Sequence, residues 1–129
     1  MRLRRLVAHG FRNLAPFDLD TSTQFVVFHG DNAQGKTNVL GAIWMLATLK
    51  ALRGRRRSEL ICWGERAASL SGWVTAEAVE RHHRVDLTPS GREVAVDGKR
   101  ISDLRDYFSG IRAICFTPQD GRIVSDVPA

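Results

Sequence analysis

Two cysteines, four histidines, one tyrosine and no C-x-x-C or H-x-x-x-H spacing leave this chain of 129 residues little from which to build a disulfide framework or a metal centre. Cys62 and Cys115 lie far apart, each in an apolar stretch, which predicts buried free thiols in a reducing compartment. Long apolar runs are also missing. The longest uncharged stretch around one, residues 38–49, falls well short of the roughly 18 to 20 residues a helix needs to cross a bilayer, so no membrane partner is expected. Met1-Arg2-Leu3-Arg4-Arg5-Leu6 is basic but leads into no apolar segment or cleavage site, and a cytoplasmic location is the expectation. There is no internal repeat and no low-complexity segment. With 43% apolar and 26% charged residues the composition is that of a globular domain, able to bury about two-thirds of the surface its unfolded chain exposes.

Charge is unevenly spread. The net charge of +5 divides into +6 over residues 1–66 (11 Lys and Arg against 5 Asp and Glu) and −1 over residues 67–129 (8 against 9). A basic surface therefore belongs to the first half, where Arg53, Arg55, Arg56 and Arg57 form the densest cluster.

Residues 2–8 alternate imperfectly and end at Gly10, which predicts an edge strand, and Phe17 and Leu19 alternate with Asp18 and Asp20 in a short second one. Residues 25–28, Phe-Val-Val-Phe, make a continuous β-favouring run of the kind expected in a strand covered on both faces. From Lys36 the period becomes helical, with Val39, Leu40, Ile43, Leu46 and Ala47 on one face and an end near Gly54. Residues 69–78, 81–88 and 93–96 read as strands of an antiparallel meander, punctuated by a turn at residues 88–91 and the Asp97-Gly98 hairpin signal. Ser102 is placed to cap a short helix through Phe108, and residues 111–116 read as a last strand.

Between the apolar run and the helix stands Gly30-Asp31-Asn32-Ala33-Gln34-Gly35-Lys36-Thr37. It satisfies G-x-x-x-x-G-K-[ST], a pattern that arises by chance in about 0.4% of chains this long. The glycines allow a tight loop, and successive N–H groups at a helix N-terminus attract phosphate. Lys36 is the residue to reach the β and γ phosphates, and the Thr37 hydroxyl is the candidate ligand of Mg²⁺.

Phe11-Arg12-Asn13-Leu14, the loop continued by Asn38-Val39-Leu40 and Ala42-Ile43, then Glu59-Leu60-Ile61, Val96-Asp97-Gly98 and Phe116-Thr117-Pro118-Gln119-Asp120 occur in an order that resembles the RecF family of recombination mediators, relatives of the SMC heads. The resemblance covers nearly the whole chain. It implies an α/β fold: a P-loop strand and helix joined to an antiparallel β meander, lobe I of an ABC-type ATPase head. It also implies an ATP-binding protein that acts on DNA, single-stranded or as gapped duplex, dimerises on ATP and works with partner mediator proteins. Arg12 and Asn13 would then lie beside the nucleotide with the loop residues and Asn38. Gln119 would fall near the segment sensing Mg²⁺ and the γ-phosphate, although Pro118-Gln119-Asp120 also reads as a plain turn.

Departures bear on activity. Gly41 stands where the family usually has an acidic residue, at a cost of about 1 kcal/mol in helix propensity relative to Ala. No run of four apolar residues is followed by Asp-Glu, and no Ser-Gly-Gly-like signature occurs. Residues 1–129 thus read as an N-terminal P-loop lobe without the Walker B and signature regions, able to bind nucleotide but expected to hydrolyse almost none alone, with no catalytic residue assigned. A non-catalytic fragment that binds DNA or a partner, and an ATPase head of the overcoming-lysogenisation-defect type, are the alternatives.

The arginine cluster has two readings: salt-dependent contact with DNA phosphates, or a solvated loop complementing the helix C-terminus. His82 and His83, adjacent on a strand, point to opposite faces and suit no shared metal. Trp44 and Met45 read as core or interface. Trp63 and Trp73 have the chemistry to stack on bases, but with no second aromatic at matching spacing they are read as packing.

Overall fold

The computed structural model describes residues 1–30, 35–52 and 56–116. Six strands form one antiparallel sheet: β1 (Arg2–His9), β2 (Phe17–Asp20), β3 (Ala68–Ala76), β4 (Val79–Thr88), β5 (Gly91–Val96) and β6 (Lys99–Arg100), in the order β2-β1-β3-β4-β5-β6. From β3 onward each strand turns back on its predecessor, so the meander read from alternation and turn residues is present. Asp97 and Gly98 take positive φ of 52° and 80°, the mirror-image turn that suits the strand twist. Glu77 and Ala78 do the same between β3 and β4, with φ of 50° and 64°, a turn without glycine and therefore without a sequence signal. β1 lies inside the sheet, not at its edge, because β3 pairs along its open side (Leu6↔Gly72, Ala8↔Leu70).

Register sorts the two faces. Leu6, Ala8, Leu70, Val74, Val85, Leu87 and Val94 face the core, and helix α1 (Gly35–Thr48) packs across β3 and β4. Gly72 is what allows close packing here. A Cβ at that position would overlap Leu46 Cδ2 and stand 3.0 Å from Leu3 Cδ1, so the absent side chain lets Leu46 rest on the strand. The buried residues of α1 are Asn38, Gly41, Ala42, Met45, Leu46 and Ala47, so Leu46 and Ala47 of the expected face are covered while Leu40 is half-exposed.

The helix ends at Thr48, earlier than the run of apolar residues suggests, because Leu49 adopts φ 61° and donates its N–H to Met45 O at 2.8 Å. Two distant side chains complete this end. Arg92 Nη1 donates to Leu49 O at 2.8 Å, and the Tyr107 hydroxyl donates to Leu46 O. Orphan carbonyls and a negative helix end account for both partners. Tyr107 comes from α2 (Leu104–Phe108), which is capped by Asp103, accepting from Arg105 N–H at 3.0 Å, and not by Ser102. Burial pushes the Tyr107 phenol well above its ordinary value. His83 is fully buried edge-on to Tyr107, while His82 on the other face stacks on Trp73 at 4.4 Å, as strand alternation requires.

Three expectations are corrected. Residues 25–28 are not a covered strand: no described strand pairs with them, Phe25 is 81% exposed and Val27 79% exposed. Val26 and Phe28 instead line an open groove with Leu40 and Ile43 of α1. Residues 111–116 likewise pair with no strand; Ile111 is buried, while Ile114 and Phe116 face solvent. Cys62 and Cys115 are free thiols, but half-buried. A β-favouring run becomes a strand only with a hydrogen-bonding neighbour, and neither segment has one among the described residues. No described helix is long and apolar enough to cross a membrane.

Candidate nucleotide-binding site

The first turn of α1 meets the sheet through the turn after β1. Gly10 (φ 66°) reverses the chain where a Cβ would lie 2.6 Å from Ala67 O, so only glycine fits. Phe11 is buried and bridges to Ile61. Arg12 N–H donates to Leu60 O at 2.8 Å, Cys62 N–H to Gly10 O at 2.7 Å, and Leu14 N–H to Phe11 O at 3.2 Å. These bonds hold Arg12 at φ 53°, an uncommon backbone conformation for arginine, and fix Asn13 against α1. The Asn38 side-chain amide donates to Asn13 Oδ1, and Leu14 lies where a Cβ on Gly35 would be 3.8 Å from it. Asn38 is the buried polar residue of the first helical turn, and Asn13 satisfies it.

On the other side of the same helix end, Lys36 Nζ donates to Gly30 O at 2.7 Å, closing the lysine across the base of the loop. Gly30 has φ 148°, which favours glycine. Thr37 is exposed at the helix N-terminus, and the first turn of α1 holds no acidic residue. An unneutralised N-terminus with a lysine beside it presents N–H groups and positive charge to an anion.

The structure thus gathers Asn13, Gly30, Gly35, Lys36, Thr37 and Asn38 around one helix end, with Arg12 beside Asn13 in the adjoining cleft. Asp31, Asn32, Ala33, Gln34 and Gln119 lie outside the described residues, as do Arg53 and Arg55. Arg56 is exposed just before the single turn Arg57–Leu60. The helix C-terminus is met by Arg92 on β5, a partner that no local reading of the arginine cluster identifies.

Beside Arg12 and Asn13 the segment after that turn completes an open cleft lined by Glu59, Ile61, Cys62 and Trp63. Trp63 is 99% exposed and packs on nothing, contrary to its reading as a packing residue. The signal was the Trp63-Gly64 pair, a turn and not a core element.

The outer face of the sheet is differently arranged. Arg5 pairs with Asp18, its Nε donating to Oδ1 at 2.7 Å, while Arg84 and Asp86 (3.0 Å) and Arg100 and Glu93 (2.6 Å) form further pairs. The hydrogen bond from Arg5 holds Asp18 below the usual carboxylate range. The His82 backbone N–H, joined by the Arg81 guanidinium, does the same for Asp97. Arginines engaged in this way have part of their charge answered within the chain before any polyanion is met. No cluster of three potential metal-ligating side chains occurs among the described residues.

No family model matches the chain. Curated relatives do: the DNA replication and repair protein RecF of Myxococcus xanthus is 43% identical over 128 residues, spanning 99% of this chain and 34% of that protein, and the RecF of Geotalea daltonii is 35% identical over 128 residues, spanning 99% and 35%. The chain therefore spans about a third of the length of the curated relatives it matches. A solved structure of the recombination mediator protein RecF with ATP, from the RecFOR pathway, superposes with a TM-score of 0.82 at 27% identity, covering 95% of this chain and 34% of that one. The SMC head domain from Thermotoga maritima aligns with a TM-score of 0.59 at 20% identity over 82% of this chain and 40% of that one, a likeness of fold. The fold is that of an ABC-type P-loop ATPase head, and over 99% of its length the chain is similar to about a third of a RecF protein.

Proposed function

We propose that residues 1–129 form the ATP-binding lobe of a DNA replication and repair protein, a recombination mediator that binds DNA in an ATP-dependent manner. The observation that carries this reading is the convergence of Lys36, held to Gly30 O, and the Asn13–Asn38 pair on the acid-free N-terminus of α1. Residues 30–38 would hold the triphosphate with Arg12 and Asn13 beside it, Thr37 would supply a hydroxyl to Mg²⁺, and Gln119 would contribute at the γ-phosphate. ATP with Mg²⁺ fits this donor set: cationic and N–H groups for the phosphates, a hard oxygen for the metal. Because phosphoryl transfer rests on positioning and electrostatics supplied from several sides, this lobe alone binds and does not turn over.

DNA contact is assigned to the loop arginines, Arg53, Arg55, Arg56 and Arg57. RecF in the RecFOR pathway is a recombination mediator, and dimerisation on ATP with action beside other mediator proteins would make the lobe one side of a shared assembly. The test is fluorescence anisotropy with labelled gapped duplex at two salt concentrations, with and without ATP. The expected result is tighter binding with ATP, an affinity that falls as salt rises, and loss of both on changing Arg55, Arg56 and Arg57 to Ala. Binding indifferent to ATP and to those arginines would favour a non-catalytic module that uses another surface.

A further inference from the structure

We propose that Trp63 is the platform on which the base of the bound nucleotide stacks, an inference that rests on the nucleotide-binding reading above. Trp63 is 99% exposed, although burying a tryptophan is among the larger hydrophobic gains a chain can make. Its position is also held. Cys62 O accepts from Glu65 N–H at 2.9 Å across a tight turn in which Gly64 takes φ 89°, the arrangement that requires glycine at the third position. The stem of that turn is tied to the Gly10–Phe11 backbone by Cys62 N–H to Gly10 O at 2.7 Å and by the Phe11–Ile61 bridge.

The presented ring lines an open cleft of about 270 Å³ with Arg12, Asn13, Glu59, Ile61 and Cys62. Asn13 is bonded to Asn38 in the first turn of α1, so the cleft continues from the helix end that offers N–H groups to phosphate. A ligand with its phosphates at that end and a flat aromatic body beyond them meets both chemistries, and a nucleoside triphosphate has that form. A π-face receives any purine, while Glu59 and the backbone of the turn supply polar groups at the rim. Ile61, a buried residue of the core, adds an apolar side chain to the lining of the cleft.

Calorimetric titration with Mg·ATP and, separately, with inorganic tripolyphosphate tests this on the parent chain, Trp63→Ala and Trp63→Phe. Because the ring packs on nothing, all three should share one thermal unfolding profile. The expected result is that ATP binds the parent more tightly than tripolyphosphate does, that Trp63→Ala weakens ATP about tenfold while leaving tripolyphosphate unchanged, and that Trp63→Phe recovers most of the loss. Equal ATP affinity in the parent and Trp63→Ala, with tripolyphosphate bound, overturns the stacking role alone and reassigns Trp63 to a protein contact. Failure of the folded parent to bind either ligand overturns the nucleotide reading and the stacking role together.

Discussion

The sheet and the phosphate-loop side of this molecule solve opposite problems with the same chain. On the sheet, Leu6, Leu70, Val85 and Leu87 of the core face are fully buried, and Arg5, Arg84 and Arg100 of the outer face are paired with carboxylates. Away from the sheet, Phe25, Val27, Trp63, Ile114 and Phe116 stand in solvent, and α1 begins with no acidic residue. The first region buries its apolar side chains by its own contacts and leaves only the ring nitrogens of His82 and His83 buried without a hydrogen-bond partner among the described residues; the second presents surface and charge that suit something outside the chain. Stability should therefore be sensitive to the sheet and binding to the loop, with little cross-talk between them.

The largest test of that separation is Leu46→Ala. It empties the contact over Gly72 and is expected to cost about 2 to 5 kcal/mol, measured by urea denaturation. Gly72→Ala, which forces a methyl into Leu46, should cost about 1 to 3 kcal/mol. If either variant were as stable as the parent, α1 would not be seated on β3 as described. Tyr107→Phe removes the hydroxyl that meets the Leu46 carbonyl at the end of α1 and should cost about 1 to 2 kcal/mol, seen as an earlier denaturation midpoint with unchanged slope.

Acid sharpens the comparison. Burial lowers the pKa of His83 below its ordinary 6.5, so the unfolded chain takes up the proton first. The stabilisation from a neutral His83 is complete above pH 6.5 and is lost as the pH falls from there through the lowered folded value. Over that window stability should decline by at most about 1.4 kcal/mol per pH unit for one proton, and His83→Leu should flatten the slope. A parent curve with no slope between pH 7 and 5 would place His83 in water.

The smallest effect is a gain. No atom outside the helix lies within 4 Å of a Cβ placed on Gly41, so Gly41→Ala should add about 0.5 to 1 kcal/mol by helix propensity without touching the site.

What could be read in advance follows the same division. Strands β3 to β6 are held by neighbours in sequence, so alternation and the Asp97-Gly98 turn were enough to place them. The loop and the Phe11-Arg12-Asn13-Leu14 turn announced themselves as motifs, and their meeting through Asn13 and Asn38 is a three-dimensional fact that spacing does not contain. Non-local choices were hidden. Whether β1 is an edge depends on β3, sixty residues away, and where α1 stops depends on Leu49 meeting Arg92. Residues 25–28 look like a covered strand because composition records a preference for cover, not whether a neighbour supplies it. Trp63 was misread for the complementary reason: hydrophobicity predicts burial unless a turn such as that at Gly64 carries the ring outward.

The measurement that bears most directly on the account is calorimetric titration of the chain with Mg·ATP beside Lys36→Ala, both verified as folded by their unfolding profiles. Saturable binding by the parent, weakened at least about tenfold in the variant at unchanged stability, is the predicted result, since a charge-assisted contact to phosphate is lost. Equal affinity in the two proteins, or no binding by a folded parent, would contradict it.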